Sequence, residues 1–454
     1  MIRSLNPATG EVLASFEAHD AATVERRLAA AAQAQRAWRT RPVAERMPLL
    51  LSLARVLRRN AERYATLMTL EMGKPLAEAR AEVEKCAMTC DFYAQRAPGF
   101  LADEVVDSAA RDSRIVFDPL GVLLAVMPWN YPFWQVMRAA APVLAGGNGL
   151  VLKHASNVPQ CALAIEDLFK RAGLPQGLVC TLLVGAGEVP ALIADRRIAA
   201  VTFTGSTPAG RSIASHAGQA LKKQVLELGG SDPFIVLADA DIAAAATAAV
   251  RARFQNTGQS CIAAKRFIVE AAVADEFADA LTALAAKLVV GDPLQPGTQM
   301  GPMARHNLRD ELHAQVEATV ADGATLRLGG RPLDGPGAYY AATVLDHVTP
   351  EMVAGRQETF GPAAAVLRVA SAEQAVAVAN GTEFGLGAAL WTGNADRARA
   401  LSRQIEAGAV FINGVVASDP RLPFGGIKQS GYGRELGLYG LREFTNMKTV
   451  WTGR

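Results

Sequence analysis

The sequence has 454 residues, of which 50% are hydrophobic and 20% charged, so it can bury a large core and is not mainly disordered. Lys and Arg (46) nearly balance Asp and Glu (44), which leaves a formal net charge of +2 and no long basic run. This balance argues against electrostatic binding to nucleic acid or to a membrane surface. The length allows roughly three domains or one large, lobed α/β enzyme.

The cysteines and the apolar segments indicate a cytoplasmic protein. The five cysteines are sparse, odd in number and without framework spacing, which favours a reducing compartment. The N-terminus has no apolar region typical of a signal peptide. The uncharged 19-residue segment Pro119–Met137 is interrupted by Pro128, Asn130 and Pro132, so we expect a buried strand and helix there, not a membrane span. The six histidines form no ligand motif, and no metal site is predicted.

The first hundred residues are predicted to be helical. Apolar residues recur three and four positions apart among Ala, Leu, Glu and Arg, and Pro42, Gly73 and Pro75 punctuate the pattern. We predict helices over Ala21–Ala37, Val43–Met72 and Ala77–Phe92.

From Pro119 onward, strands and helices are predicted to alternate. The predicted strands are Gly121–Met127, Leu150–Lys153, Val179–Val184, Ala199–Thr204 and Lys223–Glu227. The predicted helices are Trp134–Leu144, a helix capped by Ser156 or Asn157 that runs to Gly173, Glu188–Ala194 and Ala209–Ala217. This alternation is typical of a parallel, doubly wound sheet.

A second α/β series follows Gly229-Gly230. Its predicted strands are Phe234–Leu237, Arg266–Val269, Ala364–Val369, Ala388–Trp391 and Ala409–Ile412. Its predicted helices are Ile242–Phe254, Ala274–Leu288, Arg305–Asp322 and Ala372–Ala379. The sequence therefore predicts an α/β protein with two Rossmann-like lobes, each with a parallel sheet, and a site between them.

The segment Phe203–Gly210 lies where a predicted strand passes into a helix. Free N–H groups at a helix start attract anions, and glycine lets a pyrophosphate approach the backbone. The same segment narrowly misses the P-loop pattern, because Arg211 replaces the lysine. A plain turn and a P-loop nucleotide hydrolase are the alternatives to a dinucleotide site.

Three further residues carry reactive groups in unusual surroundings. Cys261 follows the polar, turn-forming Asn256–Ser260, which suggests a sulfur at a cleft. Glu227 ends an apolar strand, where a carboxylate is either paired or kept as a proton acceptor with a raised pKa. Asn130 lies between two prolines, where a fixed amide can donate a hydrogen bond to an oxyanion.

Taken together, these motifs resemble those of the aldehyde dehydrogenase superfamily over essentially the whole chain. In chain order they are Pro128-Trp129-Asn130, Lys153, Phe203-Thr204-Gly205-Ser206, Glu227-Leu228-Gly229-Gly230, Gly258-Gln259-Ser260-Cys261, Glu358-Thr359-Phe360-Gly361-Pro362 and Pro423-Phe424-Gly425-Gly426. The segments Lys153–Cys161 and Gln259–Arg266 are most similar to those of NADP-type succinate-semialdehyde dehydrogenases.

The resemblance implies a covalent mechanism. Cys261 would attack the aldehyde as a thiolate, and the Asn130 amide with the Cys261 backbone N–H would stabilise the oxyanion. After hydride transfer to NAD(P), Glu227 would activate the water that hydrolyses the thioester. Intact Cys261, Glu227 and Asn130 argue against a catalytically silent structural or binding relative, which is the rival from another class.

The resemblance also implies the cofactor residues. These are Trp129, Asn130, Lys153, Gly205, Ser206, Leu228, Glu358 and Phe360. In relatives that prefer NAD, a glutamate commonly stands three residues after the lysine, where this chain has Ser156. A carboxylate there would repel a 2′-phosphate, whereas Ser156 can donate a hydrogen bond and Lys153 supplies positive charge. We therefore expect NADP to be preferred and NAD to be usable.

The expected substrate is succinate semialdehyde; another ω-acid or an aliphatic aldehyde is the alternative. Trp134 and Arg138 are four residues apart on a predicted helix, so they share one face, and this face should line the entrance to Cys261. Two roles are open for Arg138: it binds the distal carboxylate of the substrate, or it anchors another loop. Ser418 is a second candidate for that carboxylate.

The resemblance implies the division of the chain and its assembly. Residues 1–100 and 120–227 would form the dinucleotide-binding domain and 228–428 the catalytic domain. Residues 101–119 and 429–454 would form an oligomerisation hairpin or strand element, because Asp103–Asp118 and Arg442–Trp451 match the family's intersubunit sheet. A homodimer or homotetramer is expected.

Overall fold

The computed structural model describes residues 1–453. Strands β1 to β20 are, in chain order, Ile2–Leu5, Val12–Phe16, Glu104–Val105, Asp112–Pro119, Val122–Met127, Gly149–His154, Val179–Thr181, Ile198–Thr204, Lys223–Glu227, Asp232–Val236, Ala264–Glu270, Thr325–Leu328, Thr343–Asp346, Ala363–Val369, Phe384–Gly385, Gly387–Trp391, Ala409–Ile412, Ile427–Lys428, Gly431–Tyr432 and Thr445–Thr452. Helices α1 to α15 are Ala21–Arg39, Val43–Arg59, Ala61–Met72, Leu76–Phe100, Trp134–Ala145, Pro159–Arg171, Val189–Ala194, Thr207–Gln219, Ile242–Phe254, Ala271–Ala285, His306–Ala321, Val353–Arg356, Ala372–Asn380, Ala395–Ser402 and Gly437–Glu443.

The first of two large sheets has the order β19-β9-β8-β5-β6-β7. All its pairs are parallel except β19 with β9. Every residue of β5 and β6 is buried, because alternate side chains pack into two separate apolar clusters on the two faces of the sheet. The parallel register aligns the carboxyl ends of β9, β8, β5 and β6 along one edge.

The second large sheet has the order β12-β13-β14-β11-β10-β16-β17. Its pairs are parallel except β12 with β13. Apolar side chains of β10 and β11 alternate between two clusters, which places core on both faces of this sheet as well. The two parallel sheets confirm the predicted α/β fold class with Rossmann-like lobes.

A third sheet of three antiparallel strands joins residues 104–119 to the C-terminal segment of the chain. β20 pairs with β4 over residues 445–452 and 112–119, and β3 pairs with the other edge of β4. Gly431–Tyr432, by contrast, pairs with β9 in the first sheet. The segment 429–454 is therefore shared between two sheets, and the predicted division into domains stays a prediction.

Two sequence-based expectations for the first hundred residues were wrong. The single helix predicted over Val43–Met72 is two helices, because Asn60 has non-helical dihedral angles (φ −114°, ψ 19°) that redirect the chain. Residues 2–16, within the part expected to be helical, form the antiparallel pair β1-β2. No helix within residues 1–453 combines the length and apolarity that a membrane span needs.

Candidate active site

Two cavities meet at Cys261. The larger, of about 510 Å³, is lined by Trp129, Asn130, Lys153, Gly205, Ser206, Leu228, Glu358 and Phe360 together with Cys261. The smaller, of about 240 Å³, is lined by Trp134, Arg138 and Ser418, again together with Cys261. The structure thus brings the predicted cofactor residues to one side of the sulfur and the predicted substrate residues to the other.

The topology explains why these distant segments meet. Asn130, Lys153 and Ser206 lie at or just beyond the carboxyl ends of β5, β6 and β8 in the first sheet, the edge where parallel sheets bind ligands. In the second sheet, Cys261 precedes β11 and Phe360 precedes its neighbour β14. The site therefore lies between the carboxyl edge of one sheet and the amino edge of the other.

The turn that precedes Cys261 is strained. Asn256 and Thr257 both have φ of 56°, a region that is unfavourable for a β-branched residue such as Thr257. Its surroundings hold the turn: the Asn256 N–H donates to the Glu78 carboxylate (2.8 Å), and the Thr257 hydroxyl donates to the Gly301 carbonyl (3.1 Å). Such over-determined strain fixes the direction in which the following sulfur points.

Two hydrogen-bond donors face the region around the sulfur. The Asn130 Nδ2 donates to the Gln259 carbonyl (3.0 Å), which uses one of its two protons. The backbone N–H of Cys261 has no acceptor among residues 1–453. The two groups that were predicted to stabilise the oxyanion are therefore both near the sulfur with donor capacity to spare.

The surroundings of the Cys261 sulfur favour the neutral thiol over the thiolate. Burial raises its pKa to about 12, although the charges of Arg138 and Lys265 act in the opposite direction and that of Glu227 reinforces the rise. Formation of the thiolate therefore needs a proton acceptor or additional positive charge beside the sulfur.

Glu227 lies behind the cavity wall. Its side chain is 1% exposed, and neither carboxylate oxygen has a hydrogen-bond partner within residues 1–453. Its Oε1 lies so close to Gly425 that a Cβ atom on this residue would be only 2.7 Å from the oxygen. Burial raises the pKa of Glu227 to about 8, with the Arg138 charge opposing the rise and that of Glu435 adding to it. The next residues, Leu228 and Gly229, line the larger cavity, so a side-chain rotation is needed to bring this carboxyl group to the sulfur.

The larger cavity fits a dinucleotide. Ser206 is the N-cap of α8 and makes no side-chain capping bond, which leaves first-turn N–H groups available to a phosphate. Lys153 is 7% exposed, and burial lowers its pKa. Ser156 is exposed and lies just beyond the wall, which its neighbour Ala155 lines. Ser156 therefore stands at the rim of the site, not inside it.

Arg138 lines the smaller cavity beside Cys261, and part of its guanidinium is engaged by other residues of the protein. Its Nε pairs with the Glu435 carboxylate, and its Nη2 donates to the Thr204 hydroxyl (3.3 Å). The Arg138 and Glu435 side chains are 2% and 3% exposed. Arg138 thus anchors the segment before α15, and its role as a ligand of the substrate stays a prediction.

The comparisons with known proteins agree with this site. The sequence profile of the Aldehyde dehydrogenase family matches residues 1–450. The chain belongs to the aldehyde dehydrogenase family. It is 54% identical to the probable succinate-semialdehyde dehydrogenase [NADP(+)] of Synechocystis over 99% of each chain. It is 51% identical to the Escherichia coli succinate semialdehyde dehydrogenase [NAD(P)+] Sad over 99% of this chain and 98% of that one.

A solved structure is similar over the same length. Succinic semialdehyde dehydrogenase from Streptococcus pyogenes, in complex with NADP+, superposes with a TM-score of 0.98 at 37% identity and covers 100% of both chains. The comparisons therefore confirm the family that the motifs indicated. They also confirm the predicted class of enzyme, one that oxidises aldehydes.

Two buried cations that hold this aldehyde dehydrogenase site were not predicted from the sequence. Arg253 donates to the carbonyls of Gly258 (2.6 Å) and Gly361 (2.6 Å), which joins the cysteine turn to the loop of Phe360. Lys265 donates to the Cys261 carbonyl (2.8 Å) and is 3.3 Å from the Glu358 carboxylate. Arg253 lies in the last turn of α9 and Lys265 lies in β11, but some of their partners lie on segments that only the fold brings together.

Proposed function

We propose that the chain oxidises succinate semialdehyde to succinate, with NADP preferred as hydride acceptor and NAD usable. The observation that carries this proposal is the position of Cys261 at the junction of a dinucleotide-sized cavity and a smaller one that is lined by Arg138 and Ser418. The relatives named above support the choice of substrate and cofactor. The intact site disfavours a catalytically silent structural role.

The chain's own residues carry the steps of the reaction. Cys261 adds to the aldehyde carbon as the thiolate, its proton passing to water in the cavity, and the Asn130 Nδ2 and the Cys261 N–H stabilise the oxyanion of the thiohemiacetal. A nicotinamide dinucleotide held by the residues of the larger cavity would supply the hydride acceptor, so that the thiohemiacetal on Cys261 is oxidised to a thioester. Lys153 and the first turn of α8 would hold the phosphates, and Glu358 and Phe360 would position the nicotinamide end.

Deacylation needs a base because water is a weak nucleophile. Glu227, in its deprotonated form and rotated toward the sulfur, takes a proton from the attacking water, and the thioester C–S bond breaks to give the acid and the free thiol. Glu358 also lines the cavity with Cys261, but its carboxylate is 3.3 Å from the Lys265 ammonium, so Glu227, which has no such partner, is the proposed base.

A kinetic comparison tests the proposal. Purified protein is assayed for NADPH or NADH formation with succinate semialdehyde, glutarate semialdehyde and butanal, with Cys261→Ala as the control for the covalent step. We expect the highest kcat/KM with succinate semialdehyde and NADP, and no turnover by Cys261→Ala. A higher kcat/KM with butanal or glutarate semialdehyde would replace the proposed substrate, and turnover by Cys261→Ala would overturn the mechanism.

We also propose that the three-stranded sheet mediates a homodimer or homotetramer, with the domain division stated above. Its strands carry exposed apolar side chains, namely Val105 (72%), Met447 (65%) and Trp451 (59%). Sedimentation of the wild type against Trp451→Asp tests this, because a monomeric wild type would contradict the proposal. The five free cysteines support a cytoplasmic location.

A further inference from the structure

A fully buried lysine contacts the backbone at the nucleophilic cysteine. Lys265, at the start of β11, has no exposed surface. Its Nζ donates to the carbonyls of Ser260 (3.0 Å) and Cys261 (2.8 Å) and lies 3.3 Å from the Glu358 carboxylate. The reaction steps described above assign no role to this side chain.

The contacts of Lys265 identify its charged form. Within residues 1–453, every polar partner of Nζ is an oxygen, namely the carbonyls of Ser260, Cys261 and Ala263 and the carboxylate of Glu358. An ammonium group has three protons and no acceptor site, so it matches these surroundings, whereas a neutral amine would turn its lone pair toward an oxygen. Burial lowers the pKa of Lys265, and the Glu358 charge opposes this shift. Glu358 is therefore the counter-ion of a buried cation.

The Ser260 carbonyl and the Cys261 N–H belong to the same peptide unit. This unit is trans, so its oxygen and its N–H point in opposite directions. The oxygen accepts from Lys265 and from the Ala263 N–H (3.2 Å). The N–H has no acceptor among residues 1–453 and is one of the two donors for the oxyanion. A cation at the oxygen and an oxyanion at the N–H therefore polarise this peptide group in the same direction.

We propose that Lys265 strengthens the oxyanion hole by polarising the peptide group between Ser260 and Cys261. Hydrogen bonds that follow one another in a chain strengthen each other, and a buried site enhances the effect. The charge that develops on the substrate oxygen is then stabilised by a fixed cation through one peptide group. Lys265 is thus a positioning residue, since it acts through the backbone of Cys261. This inference rests on the proposed function for the role of the sulfur, but not for the identity of the substrate.

Two other effects of the Lys265 charge must be separated from this polarisation. Its loss would disturb Glu358, which lines the larger cavity and is expected to position the nicotinamide end. The same charge also favours the Cys261 thiolate, because it opposes the rise in the pKa of the thiol. The test therefore needs one reaction that forms an oxyanion without a dinucleotide, and a second that uses the thiolate but forms no oxyanion.

Two reagents supply these reactions. With p-nitrophenyl acetate, the Cys261 thiolate adds to the ester carbonyl to give an oxyanion, and the C–O bond then breaks to leave an acetyl thioester and p-nitrophenolate. With iodoacetamide, the same thiolate displaces iodide, and no carbonyl oxygen gains a charge. Both rates are measured without a dinucleotide, and Cys261→Ala gives the background; the cysteines other than Cys261 are buried.

The decisive quantity is the rate constant of acetylation divided by that of alkylation. We expect this ratio to fall about tenfold in Lys265→Met relative to the wild type, since a weakened donor affects only the reaction with an oxyanion. A loss of thiolate alone would lower both rates and keep the ratio, and an unchanged ratio would overturn the role of Lys265. If Lys265→Met does not fold, Lys265→Gln, which keeps a neutral donor, should lower the ratio about threefold. An unchanged ratio in that variant would contradict the proposal as well.

Arg253→Met is the matched control. It removes the other buried cation at this turn, whose guanidinium donates to the carbonyls of Gly258 and Gly361 but not to that of Ser260. We expect both rates to fall together, with a ratio within about twofold of the wild type. A ratio that falls as far as in Lys265→Met would assign the effect to a general disturbance of the turn and overturn the proposal.

The same measurements separate this inference from the proposed function. A wild type that does not oxidise succinate semialdehyde, but whose acetylation ratio depends on Lys265 as expected, would refute the proposed substrate and keep the role of Lys265. A wild type that acquires no acetyl group on Cys261 would refute both the covalent mechanism and this inference.

Discussion

Replacing Glu227 by Gln keeps the size of the side chain and removes its ability to accept a proton. Burial raises the pKa of the Glu227 carboxyl group to about 8, well above its usual range. The group is therefore mostly protonated at neutral pH, and its basic form becomes more abundant as the pH rises. The fraction of molecules that hold the carboxylate is thus small at pH 7 and smaller still at pH 6.

The rate of thioester hydrolysis should follow that fraction. Where deacylation limits turnover, we expect kcat of the wild type to rise about tenfold per pH unit up to about pH 8 and then to level off. Glu227→Gln should lower kcat by about 10²- to 10⁴-fold, the usual contribution of a general base, and should lose this inflection.

Stopped-flow measurement of NADPH absorbance separates the two half-reactions. Glu227→Gln should still give a rapid burst of about one NADPH per active site, followed by a very slow steady state, as expected when only deacylation is impaired. A variant that retains the wild-type kcat and pH inflection would refute the role of Glu227. Loss of the burst together with the steady state would show that Glu227 acts before the thioester forms.

Three further substitutions test the geometry of the site. Arg138→Met leaves Glu435 buried without its partner, so the free energy of unfolding should fall by about 3–5 kcal/mol and Tm should fall with it. We expect kcat/KM to decrease for succinate semialdehyde and butanal alike. A decrease confined to succinate semialdehyde at unchanged Tm would instead make Arg138 a substrate ligand. Ser156→Glu should lower the NADP-to-NAD ratio of kcat/KM about tenfold, because a carboxylate at the rim repels a 2′-phosphate, and an unchanged ratio would contradict the charge argument. Arg253→Met removes the donor that joins Gly258 to the Phe360 loop, so kcat should fall about 100-fold; a wild-type kcat would show that this link does not position the sulfur.

The sequence predicted the parts of this site that local backbone geometry determines. Asn130 and Ser206 follow strands in a parallel sheet, and the motif order placed Cys261 and Phe360 before strands of a second one. The strand signals were strong because β5 and β6 are buried on both faces and appear as continuous apolar runs. Residues that directly follow or precede such strands could therefore be assigned to one active site from the sequence alone.

The partners of long side chains could not be predicted in this way. Arg138 and Trp134 were correctly placed at the smaller cavity from helical spacing, yet the ion pair of Arg138 with Glu435 depends on how the chain returns to the first sheet through β19. The withdrawn position of Glu227 is a side-chain conformation, which the sequence does not specify.

Mass spectrometry of the acylated protein tests the central claim most directly. Glu227→Gln is mixed with succinate semialdehyde and NADP, quenched in acid and digested, so that the thioester survives if hydrolysis is blocked. The account predicts a succinyl group on the peptide that carries Cys261, and none on the buried Cys86, Cys90, Cys161 or Cys180. NADPH formation without an adduct on Cys261, or an adduct on another cysteine, would contradict it.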